Sequence, residues 1–328
     1  MPTHQRRAMP LTKTGQIIAL FSAVFVLALF PAACREAVPT PAQNYTGSIQ
    51  SGGLERTFLV HVPPTSSTTR PMPLLIALHG GGGTGQGMVT LTQGSLNSLA
   101  DKEGFIVVYP DGIENQWNDG REGDFTMVNR EEIDDVGFIS TLIDHLSQKH
   151  KIDNQRIYAT GISNGAMMSY RLACELSNKI AAVAPVCGAM PLDSASRCSP
   201  ARPISVLVIS GTEDRLVPWD GGSVIGGRGQ ILSVPDSVKY WVTHNQCSAT
   251  PVVTMEANTD PQDGTRVRKE VYGQGQDGTE VTLYAIEGGG HTWPGGHQYL
   301  SPVIIGRTSR DIDANTVIWD FFKRHSLK

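Results

Sequence analysis

An α/β fold built on a mostly parallel sheet is predicted by three observations. Short, nearly continuous apolar runs recur along the chain at Pro73–His79, Phe105–Tyr109, Ile157–Thr160, Ile180–Val186 and Ile204–Ser210. Runs of that length and continuity suit strands buried on both faces. Segments with helical patterning alternate with them, notably Ser95–Glu103, Asp135–Lys149 and Ala166–Ala173. Alternation of this kind argues for parallel strands joined by crossover helices. Finally, Gly161-Ile162-Ser163-Asn164-Gly165 stands between a strand and a helix. Its glycines permit a tight turn that lifts a serine hydroxyl out of the sheet.

The chain has 328 residues, 40% of them hydrophobic, enough for one large α/β domain. Its formal net charge is −4 and no basic stripe appears, which argues against a nucleic-acid partner. Met1–Thr14 carries His4, Arg6, Arg7 and Lys13 without an acid, and Ile17–Phe30 is an apolar stretch too short to span a membrane comfortably. These are the n- and h-regions of an export signal. Ala32-Ala33-Cys34 ends it like a lipobox, although Pro31 stands where a Leu-like residue is usual. Cys34 is therefore expected to be lipidated and to attach the chain to a membrane; plain signal cleavage near the same alanines is the alternative. The division expected is 1–33 signal peptide, 34–48 flexible tether and 49–328 one catalytic domain.

Beyond Cys34 there are Cys174, Cys187, Cys198 and Cys247. An even number in an oxidising compartment suggests up to two disulfides. Four cysteines allow three pairings. Cys198 with Cys247 is one, since both flank segments near Ile204–Ser210, while Cys174 and Cys187 in apolar surroundings read equally as buried thiols.

In chain order, Thr57–Val62 alternates and reads as an early antiparallel strand. His79-Gly80-Gly81-Gly82-Gly83-Thr84-Gly85 follows a strand and admits three readings. As a dinucleotide fingerprint it lacks a convincing helix after it; as a Walker loop it lacks Gly-Lys-Ser/Thr. As an H-G-G-G loop it supplies backbone N–H groups to an oxyanion. The last reading is adopted, with His79 as a support of the loop. Glu114–Arg130 is a long polar loop at a strand's carboxyl end, where ligands bind in open α/β sheets. Its Trp117 and Phe125 line a pocket or merely pin the loop. Asp134 and Asp135 open a helix and are expected to cap it. Ser233 is expected to cap a helix running to about Asn245. Arg268–Tyr272 and Val281–Ile286 are strands, and Ala314–Phe322 is a closing helix.

Glu213, Asp214 and Asp220 follow a late strand, and any of them could be a triad acid. Of nine histidines, His244, His291, His297 and His325 lie beyond those acids. His291, in a glycine-rich loop just after a strand, is preferred over His297. The order Ser163, acid, His291 is that of α/β-hydrolases. The expected architecture is an α/β-hydrolase fold with helices on both faces of the sheet and no large cap domain. His291 and His297 lack a metal-like pattern with an acid, so no metal is expected.

Taken together, His79–Thr84, Tyr109–Gly112, Asp134–Ile139, Gly161–Tyr170, Gly211–Gly222 and Gly290–Pro294 resemble the polyhydroxybutyrate-depolymerase-type esterases. Feruloyl esterases of carbohydrate esterase family one share these motifs. The likeness covers about Tyr45 to the C-terminus and departs at Ser210, where a histidine is usual. It implies that Asp214 is the acid, that Ser163 attacks an ester with His291 as base, and that no cofactor is needed. It implies an oxyanion site made by the N–H of Asn164 and one from the Gly81–Gly82 region. Trp219 and Trp293, beside the acid and base, join Trp117 as candidate substrate contacts, with core packing as the alternative. Hydroxyalkanoate oligomers or polymer, and feruloyl or acetyl esters of plant polysaccharide, are both admissible substrates. No separate substrate-binding domain is read, which favours soluble esters or oligomers. A serine peptidase and an inactive lipid-anchored binding protein are the remaining alternatives.

Overall fold

The structure, a computed structural model, describes residues 41–64 and 70–328. The expected signal peptide and Cys34 lie outside them. The strands are β1 (Gln43–Ser51), β2 (Leu54–Val62), β3 (Met72–Leu78), β4 (Ile106–Pro110), β5 (Ile152–Ile162), β6 (Ala182–Val186), β7 (Ser205–Gly211), β8 (Gly222–Ser223), β9 (Gln230–Ile231), β10 (Val252–Met255), β11 (Arg266–Tyr272) and β12 (Val281–Glu287). The helices are α1 (Gly85–Leu91), α2 (Ser95–Glu103), α3 (Met127–Arg130), α4 (Asp135–Lys149), α5 (Asn164–Glu175), α6 (Leu192–Arg197), α7 (Val234–His244), α8 (Pro302–Ile305) and α9 (Ala314–Phe322).

Ten strands form one sheet in the order β1-β2-β4-β3-β5-β6-β7-β12-β11-β10. The middle of that order, from β4 to β12, is parallel. Both margins are antiparallel. The central strands are buried on both sides, as their continuous apolar runs require. In β3, Leu74, Ile76 and Leu78 enter one core and Leu75 and Ala77 the other, the alternation of a pleated strand. Phe138, Ile139 and Leu142 of α4, Met167 and Leu172 of α5 and Trp241 of α7 complete the first core. Met88 of α1, Leu96 and Ala100 of α2 and Ile318 and Phe322 of α9 complete the second. The expected α/β-hydrolase architecture is therefore observed. Among the described residues no helix is long and apolar enough to cross a membrane.

Three expectations need correction. The tether does not extend to residue 48, because β1 begins at Gln43 and pairs along its whole length with β2. Both this strand and β10 are exposed margins with little apolar alternation, which is why pattern reading passes over them. Cys198 does not bond Cys247. It bonds Cys174, which the end of α5 carries to a Cα–Cα distance of 5.1 Å, inside the range a disulfide can bridge. Cys187 and Cys247 are free.

Asp134 caps α4 as expected, accepting from the Gly137 N–H at 2.7 Å. Asp135 does something else. It is fully buried, pairs with Arg56 Nη2 at 2.6 Å, and accepts from the Asn118 N–H at 2.7 Å. The guanidinium also lies 3.9 Å over the Phe138 ring. Burial pushes the Asp135 carboxyl up, and Arg56 opposes that shift. The pair ties β2 to α4 and to the long loop, through Asn118. Removing one partner strands a buried charge, which costs roughly 3–5 kcal/mol. Asp135→Ala is therefore expected to lower the urea midpoint by a large fraction of the total stability. An unchanged midpoint would show that the pair is not a stabilising link.

Candidate active site

Ser163 sits between the end of β5 and the start of α5 with φ 58° and ψ −119°. A non-glycine residue in that region is strained by roughly 1–3 kcal/mol and persists only where its surroundings hold it. Its N–H donates to Val186 O at 3.0 Å. The flanking glycines explain the rest. A Cβ on Gly161 would lie 2.7 Å from Leu78 O, and one on Gly165 2.5 Å from the carbonyls of Leu78 and His79. The first turn of α5 therefore presses directly on the end of β3. Gly80 completes the approach, since its Cβ would stand 3.4 Å from Ser163 Cβ.

β7 and β12 are parallel neighbours, so the turns that follow them emerge side by side. Asp214 stands after the first and His291 after the second, and His291 Nδ1 meets Asp214 Oδ2 at 2.7 Å. A carboxylate only accepts, so Nδ1 carries the proton and Nε2 is left as an acceptor. The other carboxylate oxygen accepts from the N–H groups of Leu216 and Val217 at 2.8 and 2.9 Å. Both side chains are buried. Glycine is again required: a Cβ on Gly211 would fall 2.3 Å from Gly289 O, and one on Gly290 2.1 Å from Ile305 O. The Tyr299 hydroxyl donates to His291 O at 2.9 Å, a contact that sequence pattern gives no means to foresee. Of the other acids considered, Glu213 and Asp220 are exposed.

Ser163, Asn164, His291 and Gly80–Gly83 line one cavity of about 570 Å³, a volume ordinary for a small-molecule site. No hydrogen bond joins Ser163 Oγ to His291 Nε2; both face the same cavity. Much of the wall is apolar, from Met88, Leu91, Met167, Val217, Val224 and Leu300. His297, the second histidine considered, is also on this wall, and among the described residues it makes no ion pair or hydrogen bond with an acid.

The glycine loop divides into a used and an unused donor. The Gly82 N–H is committed to Asn115 O at 2.8 Å, which removes Gly82 from the expected oxyanion pair. The Gly81 N–H has no partner among the described residues. Neither does that of Asn164, because the first N–H of a helix has no intrahelical acceptor. His79 holds the loop as expected. The Gly112 N–H donates to its Nε2 at 3.0 Å, so Nδ1 carries the proton and donates to Gly80 O at 2.8 Å. Burial lowers its pKa, so it is neutral.

The three tryptophans are not cavity residues. Trp117 is buried behind the loop, where its indole donates to His79 O at 2.9 Å and its ring lies 4.9 Å from the His79 ring. Trp293 is buried and donates to Asn315 Oδ1 at 3.1 Å. Trp219 is half-buried against the core. Large aromatic area drives all three towards packing. Instead, the neighbouring Gln116, with Arg121 and Thr126, brings the long loop to the cavity. Asn164 anchors that loop: its Oδ1 accepts from Trp117 N at 2.8 Å, and its Nδ2 donates to Trp117 O at 2.9 Å and Asp119 Oδ2 at 2.6 Å. Arg121 in turn grips both oxygens of Asp119 at 3.0 Å.

Cys187, also at positive φ, is buried behind the acid–histidine pair and donates to Thr292 O at 3.0 Å. Its sulfur and the ligand-type atoms of Asp214 and His291 lie within 4.8 Å of one another. Burial pushes its thiol well up, so it stays protonated and is a poor nucleophile or metal ligand.

The family described as Esterase PHB depolymerase matches residues 56–204. NocK of Nocardia uniformis subsp. tsuyamanensis, described only as an esterase, is 30% identical over 82% of this chain and 79% of its own length. Feruloyl esterase B of Piromyces equi is 30% identical over 72% of this chain, which spans only 42% of that enzyme. Among solved structures, an acetyl xylan esterase from Aspergillus awamori superposes with a TM-score of 0.51 at 17% identity, over 76% of this chain and 94% of that one. That likeness shows the shared fold.

The lowered His79 pKa has a consequence for stability. An unfolded histidine gains a proton near pH 6.5, whereas the folded one resists until lower pH. Between those two values the unfolded state binds more protons, so stability falls as pH falls. His79→Gln removes this contribution. The fall in Tm from pH 7 to pH 5 is expected to be smaller in the variant than in the wild type; an equal fall would show that His79 titrates normally.

Proposed function

The chain belongs to the PHB-depolymerase type of esterase, and from that premise we propose that it is a serine hydrolase using Ser163, His291 and Asp214 as its triad. The observation that carries this reading is the 2.7 Å pair of His291 and Asp214, opening on the same cavity as the strained Ser163. In the proposed mechanism His291 Nε2 takes the proton of Ser163 as Oγ attacks the ester carbonyl. Asp214 holds the tautomer and stabilises the imidazolium that forms. The N–H groups of Gly81 and Asn164 receive the developing oxyanion, and loss of one such donor costs roughly 3–4 kcal/mol. His291 then returns the proton to the leaving alcohol. Water hydrolyses the acyl-enzyme with His291 again as base.

We take hydroxyalkanoate oligomers and related short-acyl esters as the substrates. The apolar wall suits an acyl chain, and no step calls for a cofactor. A second reading, feruloyl or acetyl esters of plant polysaccharide, is favoured by the name of the Piromyces relative. Export, with a lipid on Cys34, completes the proposal and rests on the basic, apolar and small-residue pattern of the first 34 residues. Labelling with radioactive palmitate, compared with Cys34→Ser, tests that anchor.

Ser163→Ala is expected to reduce kcat on p-nitrophenyl butyrate by ~10⁵–10⁶-fold. Equal rates in variant and wild type would remove Ser163 from the mechanism. Hydroxybutyrate trimer, methyl ferulate and acetylated xylan, compared by kcat/KM, separate the two substrate readings. Asn164→Ala keeps the backbone donor but releases it from Trp117 and Asp119. Its kcat is expected to fall about tenfold with little change in KM, since small misplacements of a reacting group are costly; an unchanged kcat would make the side chain a purely structural clamp.

A further inference from the structure

The charge around the cavity is one-sided. Its lining contains Arg121, Arg228, His79, His291 and His297 and not one Asp or Glu, although acids outnumber Lys and Arg by 31 to 27 in the chain. Most of that positive character is already used. Asp119 neutralises Arg121. His79 is neutral and tied at both ring nitrogens, and His291 is paired with Asp214.

Arg228 is different. It stands on the loop between β8 and β9, exposed at the cavity wall. Among the described residues its guanidinium makes no ion pair and no hydrogen bond. Only its backbone is engaged: its carbonyl accepts from Arg121 Nη1, and its N–H donates to Val224 O at 3.3 Å. The loop is packed closely there, since a Cβ on Gly229 would meet the Arg121 side chain at 3.1 Å. Val224 and Ile225 of the same loop line the cavity beside it with apolar side chains. The result is a fixed-base, fork-shaped cation beside an apolar pocket whose lining has no acid, without a counter-ion among the described residues.

We infer that the substrate supplies it: Arg228 binds a carboxylate carried by the ester at a distance from the scissile bond. A guanidinium matches a carboxylate with two parallel hydrogen bonds, and the apolar wall strengthens the attraction. The class of substrate is therefore an anionic ester, such as an oligomer of hydroxy acids with a free acid end or a half-ester of a dicarboxylic acid. This inference rests on the serine-esterase reading of the same cavity and narrows it.

The monomethyl and dimethyl esters of glutarate, adipate and pimelate test it, because each pair shares its scissile bond and differs in one charge. The wild type is expected to favour the monoester of at least one pair, less so as NaCl is raised. In Arg228→Gln the ratio of kcat/KM for monoester over diester is expected to fall about tenfold, the scale of a charged hydrogen bond. Arg228→Lys is expected to keep part of it. A ratio that is the same in the wild type and Arg228→Gln overturns the inference. If no ester is hydrolysed, the esterase reading fails separately. Calorimetry of monomethyl adipate with Ser163→Ala then still decides: binding lost in Ser163→Ala/Arg228→Gln supports the subsite, and binding that is absent or unaffected overturns it.

Discussion

The close approach of α5 to the end of β3 is the constraint on which the site depends. Two side chains are missing from that contact, those of Gly161 and Gly165, and any Cβ at either position would collide with backbone. Because the helix begins so near the strand, Ser163 is forced to positive φ and its side chain stands clear of the sheet. The same geometry leaves the Asn164 N–H at the cavity and the Gly80–Gly83 loop directly opposite. The strain of one residue is offset by packing that extends over three elements.

Behind the cavity lies a layer of buried polar groups that satisfy one another. His79 joins the glycine loop to Gly112, Trp117 joins it to Asn164, and Asp119 joins Asn164 to Arg121. Left unpaired, each of these groups would be expensive to bury, so the loops they hold have few alternative arrangements. One face of this network fixes backbone donors; the other fixes the long loop that shapes the wall. That division accounts for the absence of the tryptophans from the cavity. Trp117 packs into the support itself and Trp219 and Trp293 pack on the cores, while smaller residues such as Gln116 and Thr126 reach the cavity.

Asp214 and His291 are 77 residues apart in sequence and meet because β7 and β12 are paired in parallel. All strand connections between them, including the whole β8–β9 loop and the β10–β11 margin, lie outside that pairing. The β8–β9 loop supplies pocket wall, and it touches the acid's surroundings through the Ile225 N–H, which donates to Leu216 O at 3.0 Å. Arg228 stands on that loop, and its guanidinium has no partner among the described residues, which is the ground for the anionic-ester proposal.

Much was legible in the sequence. Continuous apolar runs marked the central strands because those strands are buried on both faces, and G-x-S-x-G marked the elbow because only glycine fits beside it. The post-strand acid and the late loop histidine were readable because their positions follow from strand order; the choice of Asp214 among three acids came from family resemblance and is matched by its contact with His291. Other features needed the tertiary structure. Gly81 and Gly82 are equivalent as letters, and only the Asn115 carbonyl distinguishes the free N–H from the occupied one. Asp135 reads as a cap in sequence, whereas in the fold it pairs with Arg56, 79 residues away. Cys174 paired with Cys198 because two helix ends converge, which no spacing rule encodes. The physical reason is common to all of them. Local sequence sets which backbone conformations and which faces are favourable, whereas the partner of a hydrogen bond, a charge or a sulfur is set by chain segments distant in sequence that packing brings together.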